Sequence, residues 1–123
     1  LASQASHPNA LAYVATTTAL EKGWPWHTEL IKYLRSNRNL IGDWLATHDQ
    51  VIWQDSAATY LAWLDFSKLG WSNVHTHLIE HGLALSAGSQ FGKEYSQYAR
   101  LNFGIPKELL VEALSKIEKG IRA

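Results

Sequence analysis

No cysteine occurs in the chain, which excludes a disulfide framework and any thiolate metal site. Methionine is absent as well, and the opening stretch LASQASHPNA is unlike a natural start, so the sequence reads as an excised piece of a longer protein. Neither sign of charge predominates, since 11 Lys plus Arg balance 11 Asp plus Glu. There is accordingly no field to draw in a nucleic acid or an anionic membrane surface. An apolar run of 18 residues is missing, as is a charged-then-apolar leader. The expectation is a soluble, cytoplasmic protein with neither nucleic acid nor membrane as partner.

What is present is ordinary globular material: 123 residues, 46% hydrophobic and 18% charged, enough for a real core. Prolines and glycines punctuate it. The stretch HPNALAYVATTTALEKG runs from Pro8, allowed in a first helical turn, to Gly23, and predicts a helix over 9–22. Its Leu11, Val14 and Ala15 fall at helical spacing, as if packed against something. A long helix is expected over 26–48, with Leu30, Leu34, Ile41 and Leu45 on one face and Asn37 as the single interruption.

Strand signals follow. TYLAWLDF is apolar, bounded by turn residues and too short for an independent helix, so it predicts a strand buried on both faces, preceded by a weaker strand in QVIWQ. NVHTHLIEHG reads as a short helix stopped at Gly82, LALS as a short strand, and AGSQFGKEYS as a turn-rich connection. QYARLNFG is the last strand. From Pro106 a closing amphipathic helix is expected, with Leu109, Leu110, Ala113, Ile117 and Ile121 inward. Helices flanking strands in this order imply an α/β, or α+β-like, fold: a small sheet of three to four mostly antiparallel strands covered by helices.

Candidate chemistry is sparse. His77 and His81 lie four residues apart on one helix face, a spacing that suits zinc, but Glu80 and His75 do not share that face and a site needs three or four protein ligands. A helix carrying histidines is the plainer reading, so no metal is expected. Nothing resembles a nucleophile elbow or an isolated carboxylate pair. Gly88 and Gly92 would let backbone approach a ligand, but the Rossmann and P-loop glycine patterns are absent, and a plain connecting turn is the simpler reading. Trp26, Trp44 and Trp63 fall where packing would use them.

Arg100 is the exception. Alternation along the last strand puts Gln97, Ala99, Leu101 and Phe103 on one face and Tyr98, Arg100 and Asn102 on the other. A guanidinium is a rigid fork of donors that matches a carboxylate bidentately, so Arg100 beside a pocket suits recognition of an amino- or keto-acid carboxylate. An exposed strand face with Arg100 paired to a surface acid is the plainer alternative.

Five stretches in order, SHPNALAY, WHTELIKYLRSNRNLI, ATYLAWLDFSKLG, HGLALSAGSQFG and YARLNFGIPKELLVEAL, resemble the C-terminal part of the class I/II aminotransferases of fold type I, which use pyridoxal 5'-phosphate. The likeness is strongest to the cystathionine β-lyase and maltose-regulon modulator branch and covers the chain from about Pro8 onward. It implies that residues 1–23 carry a helix of the parent's large-domain side and that 24–123 form its C-terminal small domain. It also implies a homodimeric parent that acts on amino acids as an aminotransferase or a carbon–sulfur lyase.

By the same resemblance, Arg100 in R-L-N takes the role of binding the substrate α-carboxylate, with Asn102 on the same strand face orienting it. Two positions depart from the family pattern: Ala87 replaces a proline in L-S-P-G-x-x-F-G, which loosens that loop, and Lys107 follows Pro106 where the family has arginine. The cofactor's Schiff-base lysine and the acid facing its pyridine nitrogen belong to the large domain, and Lys22, Lys32, Lys68 and Lys93 do not stand in that lysine motif. The chain alone is therefore expected to hold no pyridoxal phosphate and to have no catalytic residue or activity. A non-catalytic binding or regulatory module reusing the fold is the rival reading.

Overall fold

A computed structural model describes residues 9–123. Two compact units divide the chain, the first ending at Tyr33 and the second running from Leu34 to Ala123. In the first, helix α1 spans Ala10–Lys22 and is started by Asn9, whose side-chain oxygen accepts from the Ala12 N–H at 2.7 Å. Pro8, read from sequence as part of that first turn, lies outside the described residues. Leu11, Tyr13, Val14 and Leu20 are exposed, and no residue of α1 is buried. Helix α2, Trp24–Leu45, runs on from this unit into the second. Pro25 sits in its first turn, where a missing N–H costs no helical bond.

In the second unit four strands form one antiparallel sheet in the order β1-β2-β4-β3. They are β1 Ile52–Trp53, β2 Leu61–Asp65, β3 Ser86–Ala87 and β4 Tyr98–Asn102. Helix α3, Val74–Glu80, leads into β3, and α4, Lys107–Arg122, closes the chain. Register brings Trp63 of β2 opposite Arg100 of β4, and Ser86 of β3 opposite the same arginine. The α/β-type expectation of a small antiparallel sheet with helices is met.

One face of the sheet, carrying Ala62, Leu64, Ala99 and Leu101, joins Ile41 of α2, Leu78 of α3, and Leu110 and Ile117 of α4 in a single core. Burying each large aliphatic side chain of this set contributes roughly 1.5–3 kcal/mol. Strand β2 is not buried on both faces as expected. Ala62, Leu64 and Phe66 are buried, while Leu61, Trp63 and Asp65 are half-buried, because helices cover only the first set. Tyr60, included in the expected strand, precedes β2 and is exposed.

On α4 the inward row is Leu110, Ala113, Leu114 and Ile117, whereas Leu109 is exposed. The apolar stripe is centred one residue away from its expected position, so Leu114 takes the place assigned to Leu109. Trp26 is also exposed, and Trp44 and Trp63 are half-buried.

Candidate functional site

Asn37, the polar residue interrupting the apolar face of α2, is completely buried and holds the end of the sheet in place. Its Nδ2 donates to the carbonyl oxygens of Phe103 at 2.8 Å and Ile105 at 2.9 Å. Those carbonyls belong to the backbone leaving β4 just before Pro106. The amide thus fixes the strand end two residues beyond Arg100 against α2, which leaves the site on a rigid base. Sequence periodicity marks position 37 as core-facing, and the polar residue there was the available signal of a buried anchor.

The open face of the sheet carries the site. Arg100 is half-buried, and its Nη2 donates to the Ser86 hydroxyl oxygen at 3.3 Å across the β3–β4 pair. Its guanidinium carbon lies 4.9 Å from the centre of the Phe91 ring, a cation–π distance. Phe91 is steadied edge-on by Trp63 at 5.3 Å, and Trp63 stacks on Tyr98 at 5.6 Å. Beside them, hydrogen bonding to the Asp65 carboxylate pushes the Tyr98 phenol above its ordinary pKa.

No carboxylate pairs with Arg100 among the described residues. Glu112, which with Arg100 lines a cleft of about 330 Å³, is taken by Lys116 at 2.7 Å. Hydrogen bonding to that ammonium holds the Glu112 carboxyl below its usual range. Among the described residues the guanidinium contacts the Ser86 hydroxyl and the Phe91 ring and forms no ion pair, so its positive charge is not compensated by a bound carboxylate. Such a group binds an oxyanion readily, because the charge is already partly desolvated and its fork is held in orientation. The alternative of Arg100 paired to a surface acid does not hold.

Asn102 shares that strand face and lines the same cleft, but its Oδ1 accepts from the Gly104 N–H at 2.8 Å. No hydrogen bond joins it to Arg100. The loop before β4 is shaped by Gly88, which is buried: a Cβ there would stand 2.1 Å from the Tyr95 carbonyl oxygen and 2.6 Å from that of Tyr98. Close backbone approach is thus required at Gly88, toward the chain's own strand. Ala87 adopts φ −65°, ψ 133°, a conformation proline also takes, so the loop retains the shape that a proline would impose.

The histidines of α3 are packed rather than poised. His77 stacks on Trp71 at 4.0 Å and donates from Nε2 to the Gly120 carbonyl at 2.9 Å, and His81 donates from Nδ1 to the His77 carbonyl at 2.9 Å. His77 bridges α3 to α4 and His81 caps the end of α3, so each of these two imidazoles has a structural use.

No family model matches the chain. Protein MalY of Escherichia coli (strain K12) is 33% identical over 125 residues, covering 96% of this chain and 31% of that protein. Cystathionine β-lyase PatB of Bacillus subtilis (strain 168) is 33% identical over 117 residues, 92% of this chain and 30% of its own length. The PLP-bound C–S lyase of Staphylococcus hominis, complexed with the inhibitor L-cycloserine, superposes with a TM-score of 0.82 at 30% identity over 92% of this chain and 29% of that one. OvoB does so with a TM-score of 0.86 at 32% identity, over 98% and 32%.

The chain belongs to the fold-type-I PLP-dependent enzymes. It corresponds to the C-terminal part of the branch containing the cystathionine β-lyases and related aminotransferases, and spans about a third of the length of the curated relatives it matches. No helix among the described residues is long and apolar enough to cross a membrane.

Lys116 lines the Arg100 cleft and is paired there with Glu112. Holding pyridoxal phosphate needs a lysine free to form a Schiff base and an acid at the ring nitrogen. Lys32 pairs with Glu29, and Lys68 donates to the Asp49 carbonyl. The Arg100 fork has the geometry to take a carboxylate bidentately.

Proposed function

We infer that this chain supplies the substrate α-carboxylate site of a PLP-dependent enzyme acting on amino acids, either a carbon–sulfur lyase or an aminotransferase. Arg100 is the binding residue. The observation that carries this reading is its half-buried guanidinium, lying against Phe91 with no acid paired to it among the described residues. A carboxylate arriving there gains paired, charge-assisted hydrogen bonds that a water shell provides less rigidly. Asn102 contributes by shaping the strand end and the neighbouring cleft through its bond to Gly104.

The division of labour follows from chemistry. Arg100 binds and orients the substrate by a group that does not react, which places the bond to be broken without entering the reaction. Among the described residues, the titratable groups that share the Arg100 cleft, Glu112 and Lys116, are paired with each other, so on this reading the lysine and the acid for proton transfer at the substrate Cα come from outside the chain, and the chain alone neither holds the cofactor nor catalyses. Homology to both lyases and aminotransferases favours neither outcome, because carboxylate binding is common to both.

The test is Arg100→Ala in the full-length enzyme. The expected result is a rise in KM for the amino acid of about a hundredfold, the scale of a lost charged hydrogen-bond pair, while pyridoxal phosphate affinity, read from its absorbance in a cofactor titration, stays within about twofold. Equal loss of both removes the carboxylate role. A non-catalytic module with this fold would instead show no lysine-bound cofactor absorbance in the full-length protein.

A further inference from the structure

We propose that Ser86 and Phe91 are positioning residues for Arg100, fixing which edge of its guanidinium is presented to the substrate carboxylate. This rests on the carboxylate reading of Arg100 given above and extends it to two residues that the resemblance left unassigned.

An arginine side chain turns about several bonds, and a free one loses much rotamer entropy when it grips a ligand. Here two contacts of different kinds remove that freedom before any ligand arrives. The Ser86 hydroxyl accepts from Nη2 at 3.3 Å, which ties one end of the fork to the neighbouring strand. The Phe91 ring lies 4.9 Å from the guanidinium carbon and limits tilting of its plane. Both anchors are themselves held. Ser86 is in ladder register with Arg100 on β3, and Phe91 meets Trp63 edge-on at 5.3 Å, directly across β2–β4 from the arginine.

The chemical type of the anchors matters as much as their placement. A carboxylate at position 86 would orient the fork equally well and would also compensate its charge, weakening its pull on an incoming anion. A hydroxyl and an aromatic face orient without neutralising. Only one of the five N–H donors of the guanidinium is used on Ser86, so a bidentate edge is left for the ligand. The loop that carries Phe91 owes its path to Gly88, whose missing Cβ lets the Tyr95 and Tyr98 carbonyls approach.

The experiment uses the full-length holoenzyme with Ser86→Ala, Ser86→Thr and Phe91→Leu, and Arg100→Ala alongside. A contact that orients a ground-state binding group acts on KM more than on kcat. Ser86→Ala and Phe91→Leu are each expected to raise KM for the amino acid about three- to tenfold with kcat within about twofold, and Ser86→Thr, which keeps the hydroxyl, to restore KM.

A second readout does not depend on turnover. In nitrogen-15 spectra of the 123-residue chain, the Arg100 Nε–H resonance should be distinct in the parent sequence and in Ser86→Thr, and should collapse toward the position of exposed arginines in Ser86→Ala. An unchanged KM and an unchanged Nε–H resonance in Ser86→Ala, beside a large KM rise in Arg100→Ala, would overturn the positioning role while leaving the carboxylate site standing. No KM rise in Arg100→Ala removes the site and the positioning role together.

Discussion

The Asn37 amide donates to the Phe103 carbonyl oxygen at 2.8 Å, joining the middle of α2 to the end of β4 across 66 residues of sequence. The same Nδ2 also reaches the Ile105 carbonyl at 2.9 Å, so both of its hydrogens are used on the segment that turns from the sheet into α4. A buried polar group in a core face is costly unless it is hydrogen-bonded, and here it fixes the point where the site's strand ends.

Asn37→Ala removes both donors from a fully buried position and leaves a small cavity. A loss of about 3 kcal/mol is expected. It should be read as a lower urea midpoint with an unchanged denaturant slope. Asn37→Asp should be at least as damaging at neutral pH, because a carboxylate offers no donor to the two carbonyls. If Asn37→Ala leaves the midpoint in place, the amide is not an anchor.

Gly88→Ala should also destabilise, for a different reason. The new methyl group would meet backbone oxygens of Tyr95 and Tyr98 at 2.1 and 2.6 Å, and backbone cannot rotate away as a side-chain end can. About 3 kcal/mol is the expected cost of such overpacking, seen as a depressed thermal midpoint of the chain. A midpoint equal to that of the parent sequence would mean that the 88–98 segment adapts freely.

Much of this architecture is legible in the residues, and the misses have physical causes. Helix ends at Gly23 and Gly82 and the start near Pro106 follow local chemistry that acts over a few residues. Arg100 stood out because a cationic residue in an aromatic, apolar strand is unusual in itself. The second face of β2 was misjudged because an aromatic run looks the same whether helices cover it or leave it open as a site floor, as with Trp63. Ser86 and Phe91 stand in the L-S-P-G-x-x-F-G pattern, but their contact with Arg100 depends on strand register and on a loop path set by Gly88, which the pattern does not show. Periodicity marked Asn37 as core-facing, but its partners were hidden, because they are backbone carbonyls with no sequence mark.

The Arg38–Asp55 pair links α2 to the loop after β1, with Arg38 Nε donating to Asp55 Oδ1 at 2.7 Å and a second contact from Nη2 to Oδ2. Hydrogen bonding to the guanidinium holds the Asp55 carboxyl below its ordinary value of 3.8. A carboxylate depressed in the folded state stabilises the fold at pH values above its unfolded pKa. That contribution disappears as pH falls through the lower, folded value. Asp55→Asn is therefore expected to lower stability modestly at neutral pH and to flatten the acid limb of the stability curve, measured by urea unfolding from neutral pH downward. An acid limb identical to the parent's would remove the pair from the pH response.

Arg100→Lys separates charge from geometry at the site. A lysine keeps the positive charge but presents a point ammonium on a flexible stem, without the planar fork that Phe91 and Ser86 hold in this structure. In the full-length enzyme it is expected to recover only part of the binding lost in Arg100→Ala, leaving KM for the amino acid about tenfold above the parent value. Ionic strength supplies the check on mechanism. A point charge alone is screened by salt, so the lysine variant should lose affinity with added salt more steeply than the arginine parent, whose binding also rests on paired directional bonds. Full recovery by lysine with the same salt response would show that charge alone is recognised and that the orientation of the fork is irrelevant.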